Sequence, residues 1–150
     1  MSIRTRFLIP LLVAALALPA GAAWAQQYVG VAAREANMRA GPGERHAVQW
    51  SLSRGYPLQV IGRRGEWLQV RDFEGDTGWV HRSLTGKPSH EVVRAQTAHL
   101  RQQPRANARL AGRLERGDIV RRLERRGDWV LVQRANGQRG WVAQRLLWGG

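Results

Sequence analysis

The chain contains no cysteine. That absence removes disulfides, thiolate metal ligands and every Cys-based nucleophile. Lysine is nearly missing as well: Lys87 is the single one, so the 24 basic residues are otherwise arginine. Arginine offers carboxylate or phosphate a flat bidentate fork, where lysine offers a point charge. Acidic residues are scarce, 11 against those 24, which leaves a formal charge of +13. Phenylalanine and tyrosine number two each against seven tryptophans, so any aromatic binding surface rests mainly on Trp. Catalytic motifs are lacking too. The histidines stand at 46, 81, 90 and 99, without a His-Glu-x-x-His pattern, which argues against a zinc site. No Gly-x-Ser-x-Gly or Ser-x-x-Lys nucleophile motif is present. The expectation is a non-enzymatic protein without metal or cofactor.

One long apolar run exists, Phe7 to Leu18, preceded by Arg4 and Arg6 and followed by Pro19, Gly21 and Ala23-Trp24-Ala25. A basic start, a short apolar segment and a small-x-small site make a secretory leader over residues 1–25, cleaved after Ala25. The alternative is a retained membrane anchor. A bilayer span needs about 20 apolar residues, and Pro10, Pro19 and Gly21 interrupt this run. A lipid anchor on cysteine is excluded. Membrane contact is therefore expected only through the transient leader, and the destination is periplasmic or secreted. Without the leader the charge is +11. In a cytosolic protein that excess would suggest nucleic acid. Outside the cytoplasm no nucleic-acid partner is expected, and the polyanions on offer are wall polymers, lipid phosphates and acidic peptides.

Beyond the leader the chain repeats itself. Gly65-Glu66-Trp67-Leu68-Gln69-Val70 and Gly78-Trp79-Val80 return as Gly127-Asp128-Trp129-Val130-Leu131-Val132 and Gly140-Trp141-Val142, 62 positions later. Residues 28–88 laid on 90–150 share 18 of 61 positions without a gap, which makes the chain two copies of one unit. With no disulfide to supplement the small core of each unit, packing must stabilise it, including any docking between copies.

Each unit reads as short strands. Ala36 to Arg39 runs into the turn cluster Gly41-Pro42-Gly43. Leu58-Gln59-Val60 and Trp67 to Arg71 alternate as half-buried strands, with Arg63-Arg64-Gly65-Glu66 as the loop between them. Phe73 to Asp76 is a second turn, Thr77 to Val80 another strand, and His81 to Leu84 one short helical turn. Asn136-Gly137 marks the second copy's equivalent hairpin. About five short strands in about 60 residues imply a small barrel, which closes its own sheet edges. The fold class expected is all-β.

The set Asn37-Met38-Arg39-x-Gly41-Pro42, then Gly-Glu-Trp-Leu-x-Val, then Thr77-Gly78-Trp79-Val80, resembles the bacterial SH3 domain, here in tandem with a Leu147-Trp148-Gly149 tail. The resemblance implies two SH3-like barrels, residues 28–87 and 90–150, binding cell-wall peptidoglycan or peptides. The alternative is an envelope adaptor that binds protein and not wall. In the second copy His99 replaces Asn37, and Gln102-Gln103 replace Ala40-Gly41, so the first motif is altered there.

The candidate ligand residues follow. Alternation puts Leu68 and Val70 on one face and Trp67 and Gln69 on the other. By analogy with other SH3 domains, Trp67 and Trp79 line an outer groove, with Trp129 and Trp141 as their copies. The competing placement packs these tryptophans across each barrel as core. The recurring pair Arg63-Arg64, copied at 125–126, lies beside Trp67 and could add an anion site. Trp50 and Tyr56, with Phe73, have no aromatic counterparts in the second copy, which favours the first for ligand. Arg39 and Arg101 recur and are expected to serve as structural ion-pair partners. Trp148 is expected to cap the second barrel or seal the joint between copies.

Overall fold

The computed structural model describes residues 27–150. The expected leader and its cleavage site lie outside them. The first unit is built from β1 (Gln27–Val31), β2 (Glu35–Arg39), β3 (Val48–Ser53), β4 (Pro57–Arg64), β5 (Trp67–Arg71), β6 (Thr77–His81) and β7 (Thr85–Gly86). The second repeats it as β8 (His90–Val93), β9 (Thr97–Arg101), β10 (Leu110–Glu115), β11 (Ile119–Arg126), β12 (Trp129–Gln133), β13 (Arg139–Ala143) and β14 (Leu147–Trp148). Each unit forms one antiparallel sheet. The strand orders are β3-β2-β6-β5-β4-β1-β7 and β10-β9-β13-β12-β11-β8-β14, the same topology twice. A 3₁₀ turn, Arg82–Leu84 or Gln144–Leu146, precedes the last short strand of each. The all-β tandem reading holds.

The hairpins follow from residue type. Gly65 and Gly127 sit at φ +56° and +55°, a left-handed conformation that turns β4 into β5 and β11 into β12. Both long strands break register at the same place, Val60/Gly62 and Arg122/Glu124. Such bulges sharpen the local twist and help a short sheet curl into a barrel. Between β5 and β6 of the first unit, Asp72 Oδ1 accepts from the N–H groups of Glu74 and Asp76, both at 2.9 Å, and orders that turn.

Each sheet wraps its own core. Met38, Leu58, Leu68, Val70 and Val80 are buried in the first, and Leu100, Leu114, Val130, Val132 and Val142 in the second. Gly78 explains the Gly-Trp-Val signature. A Cβ there would lie 2.6 Å from Met38 Cγ and 3.0 Å from the Arg39 carbonyl. Gly140 stands in the same relation to Leu100 Cβ, at 2.9 Å. Glycine faces inward beneath the core side chain, and the tryptophan beside it faces outward.

The two barrels touch. Tyr28 and Trp148 meet edge-on, with centroids 5.2 Å apart at 82°. The Arg116 guanidinium lies 5.1 Å from the Phe73 ring centroid. The second barrel also holds the joining segment: the backbone N–H of Arg122 donates to the Ser89 carbonyl, and its Nη2 donates to the Pro88 carbonyl at 3.1 Å. Gly149, at φ +137°, lies where a Cβ would reach within 2.7 Å of Pro57. Trp148 thus seals the joint.

His90 sits in this joint, bonded through Nδ1 to Ser89 Oγ at 2.8 Å and lying against Gly55. Burial, and then Arg121 and Arg122, hold its imidazole below the usual histidine range. The unfolded chain's histidine titrates near 6.5. Between the depressed native value and 6.5, the unfolded state therefore binds more protons. The stability contributed by neutral His90 is complete above that window and is lost as pH falls through it. Thermal melts between about pH 7.5 and about pH 5.5 should show Tm falling on acidification, with a shallower fall in His90→Gln. Equal slopes for the two proteins would contradict this.

Candidate functional site

Alternation along β5 and β6 decides what faces out. Leu68, Val70 and Val80 are buried in the core. Trp67 lies opposite His81 and Gln69 opposite Trp79 in the β5–β6 register, so Trp67, Gln69, Trp79 and His81 share the outer face. Trp67 and Trp79 are both half-buried there. Trp67 forms one wall of a cavity of about 480 Å³, with Pro42 to His46 as the opposite wall and His81 at its side. The His81 ring stands edge-on to Trp67, centroids 5.1 Å apart.

Arg39 builds the far wall. Its Nη1 donates to the carbonyls of Glu44 and His46, both at 3.0 Å. Arg101 does the same with the Ala108 carbonyl at 3.0 Å. These arginines are structural, as expected, but their partners are loop carbonyls rather than carboxylates. Arg64, two strands from Trp79, lies 6.0 Å from its ring centroid, and Arg126 lies 4.9 Å from that of Trp141. The second arginine of each pair therefore roofs a tryptophan by a cation–π contact.

The second groove is built alike but stands open. Trp129 repeats Trp67, yet Ala143 replaces His81, Ala106 replaces Glu44 and Ala108 replaces His46. Three side chains that crowd the first groove are cut back to methyl groups. The resulting cavity is about 1190 Å³, and it runs from Ala106 and Trp129 past Glu91 and Arg94 to Trp148 and Tyr28. The same exchange explains Gln103. In the first unit a Cβ at Gly41 would strike the His46 ring. With Ala108 in place of His46 that space is free.

Comparison with known proteins fits this architecture. The bacterial SH3 domain pattern matches twice, at residues 32–87 and 94–149. The chain belongs to the bacterial SH3 domain family. It is 22% identical over 137 residues to YrvJ of Bacillus subtilis (strain 168), a protein provisionally named an N-acetylmuramoyl-L-alanine amidase. The match covers 84% of this chain and 26% of that protein. Among solved structures it is similar to NlpC2 from Trichomonas vaginalis (TM-score 0.37, 11% identity, 84% of this chain and 49% of that one). It is also similar to an NlpC/P60 family protein from Bacillus cereus ATCC 10987 (TM-score 0.39, 13% identity, 81% and 56%). The chain thus spans about half the length of those two.

Within the SH3 pair, the sequence-expected residues do not form one site. Trp67 and Trp129 each face a groove. Trp79 lies under Arg64 on the same outer face, while Trp141 is buried at 8% exposure beneath Arg126. Arg63 is exposed, and its copy Arg125 turns to Glu91 at 2.8 Å. Trp50, 52% exposed, stands apart on β3 beside Gly75 to Thr77. Tyr56 packs against the first core and lies 6.5 Å from Phe73, away from the Trp67 groove. Burial, then Asp72, Glu74 and Asp76, push its phenol well above the usual tyrosine range, so it stays protonated. His81, Glu44, His46 and Glu91 were not singled out as ligand residues from sequence. Comparison of the copies at the 62-residue offset would have flagged His81 and Glu91, because Ala143 and Val29 are their counterparts.

Proposed function

We propose that this protein is an exported, non-enzymatic binding module that recognises cell-wall peptidoglycan through two SH3 barrels, residues 28–87 and 90–150. The observation that carries the reading is the pair of outward tryptophans, Trp67 and Trp129, each facing a groove near arginine. An aromatic plane suits the flat faces of sugars and the backbone of stem peptides. Arginine suits their carboxylates. The bacterial SH3 family and the likeness to a protein provisionally named a wall amidase support the same ligand class. The leader at 1–25 would deliver the protein to the periplasm or beyond.

The test is co-sedimentation with isolated sacculi. Trp67→Ala combined with Trp129→Ala should weaken retention by about tenfold or more, on the order of the 1.4 kcal/mol lost with each tenfold in affinity. The far-ultraviolet spectrum should stay unchanged, because both rings lie outside the cores. Full retention by the folded double variant would overturn the assignment to these tryptophans.

A second reading, an envelope protein adaptor, draws on Trp50. An exposed tryptophan on an edge strand, outside both grooves and near Val48 at 47% exposure, suits a protein contact. It predicts a partner whose capture survives loss of both groove tryptophans and fails in Trp50→Ala.

A further inference from the structure

Val29 and Val60 pack against the first core. At the offset of 62 stand Glu91 and Arg122, so an apolar pair has become an ion pair. Glu91 is 2% exposed, and its Oε2 has no hydrogen-bond partner. Its Oε1 accepts from Arg122 Nη1 at 2.9 Å and from Arg125 Nη2 at 2.8 Å. Apolar residues in place of a buried ion pair are often as stable or more so. The first barrel folds with valines at both positions, so packing within a barrel gives no reason for the exchange. The reason lies in what Arg122 reaches. Its Nη1 also donates to the Gly150 carbonyl at 3.1 Å, its Nη2 donates to the Pro88 carbonyl at 3.1 Å, and its backbone N–H donates to the Ser89 carbonyl at 3.0 Å. One residue of β11 thus holds both the joining segment and the C-terminal tail. Both segments bear on the first barrel. A Cβ at Gly30 of β1 would lie 3.5 Å from Pro88 Cα, one at Gly149 would lie 2.7 Å from Pro57 Cβ, and one at Gly150 would lie 3.6 Å from Tyr28 Cβ. Between them Trp148 meets Tyr28 edge-on.

We infer that Glu91 and Arg122 form an inter-barrel clamp, which fixes the Trp67 groove relative to the Trp129 groove and makes the protein a rigid bivalent binder of one repeating wall polymer. The buried carboxylate holds the guanidinium where it can reach both carbonyls at once. A valine at 122 has no donor for either, which leaves linker and tail to the backbone bond at Ser89 and the contacts of Trp148. The position in the first barrel has no such task, because the linker and tail lie at the second barrel's end of the joint, and there valines suffice. Two grooves held at one separation engage two repeats of the same polymer. The second contact is then made at the effective concentration that the joint sets, which multiplies retention without any new contact. A rigid joint also spares the cost of ordering the two barrels on binding. This bivalent use rests on the wall-binding reading; the clamp itself does not.

The test compares the whole protein with Glu91→Val/Arg122→Val, which installs the first barrel's residues in the second, and with Arg122→Gln, which keeps the carboxylate and removes the clamp. Both barrels of at least one variant should keep dispersed ¹⁵N–¹H spectra. Residual dipolar couplings then read the joint. In the native protein one alignment tensor should fit residues 27–150, and in the folded variants each barrel should need its own. Binding is read with two probes, insoluble sacculi and the single-repeat muropeptides of a muramidase digest, which offer one repeat to one groove. Sacculus retention should fall about tenfold or more in the variants, while the muropeptide affinity stays within about twofold. A merely structural role would weaken both probes or neither. One shared tensor in the folded variants overturns the clamp. Two tensors with undiminished sacculus retention, or with equal loss for both probes, overturn the bivalent use. Two tensors in the variants of a protein that never binds sacculi uphold the clamp and remove the wall reading instead.

Discussion

Gly78→Val is expected to unfold the first barrel and spare the second. The new Cβ would sit 2.6 Å from Met38 Cγ and 3.0 Å from the Arg39 carbonyl oxygen. The methionine end could swing aside, but the carbonyl belongs to β2, which pairs with β6 at Arg39 and Trp79. The clash therefore pushes two strands apart. Overpacking of a core costs about 1–3 kcal/mol when side chains can adjust, and more where backbone must move. Domains as a class have only about 5–15 kcal/mol to lose, and a barrel of this size lies toward the low end. In a ¹⁵N–¹H spectrum the resonances of residues 27–87 should collapse to unfolded shifts. Those of residues 90–150 should persist, with changes confined to the joint. A native-like first barrel would contradict the packing described for the Gly-Trp-Val signature.

Leu100→Ala is the second large effect, and it falls on the other barrel. Leu100 is fully buried on β9 among Leu114, Val130, Val132 and Val142. It also backs Gly140, whose missing side chain makes room for it. Removing three buried carbons leaves a hole that the surrounding strands fill poorly, because β9, β13 and β12 are each pinned by ladder bonds on both sides. The expected loss is about 3 kcal/mol, within the range for Leu→Ala in cores. Urea unfolding followed through the second barrel's resonances measures it. A loss below about 1 kcal/mol would mean that the cavity collapses and that the core is looser than it looks. The effect on the first barrel should be small, since the two cores are separate clusters.

Much of the fold was legible because the unit occurs twice. Strands β2, β4, β5 and β6 follow from alternation, since Leu68 and Val70 face the core and Trp67 and Gln69 face out. The loop at Arg63 to Glu66 follows from its glycine, and the turn at His81 to Leu84 from its place after the last long strand. Strands β1, β3 and β7 were harder. Val48-Gln49-Trp50-Ser51 on β3 carries its large residues exposed, so the pattern that marks a strand is absent there. β7 has two residues and is defined by pairing with β1, which no local pattern records.

The site was legible only in part. Tryptophan on the outer face could be derived from Trp67 alone. Which groove is open could not, because that depends on His81, Glu44 and His46 becoming alanines, three changes distant in sequence. Tyr56 and Phe73 read as ligand aromatics because they occur once. Their placement at the core edge and the joint needs Arg116, 43 and more residues away, to be seen beside them. Glu91 was missed because a lone acid at the start of a valine strand resembles a solvated edge. Only its partners on β11, Arg122 and Arg125, reveal it as buried.

The most direct measurement is retention of the purified protein on insoluble peptidoglycan at about 50 mM and about 500 mM salt, on either side of strong screening. The wall-binding reading predicts retention at both, because the tryptophan contacts and bidentate arginine pairs in partly enclosed grooves are screened less than a free surface charge. Retention at low salt alone would reduce the protein to a polycation of charge +11. No retention at either would contradict peptidoglycan recognition.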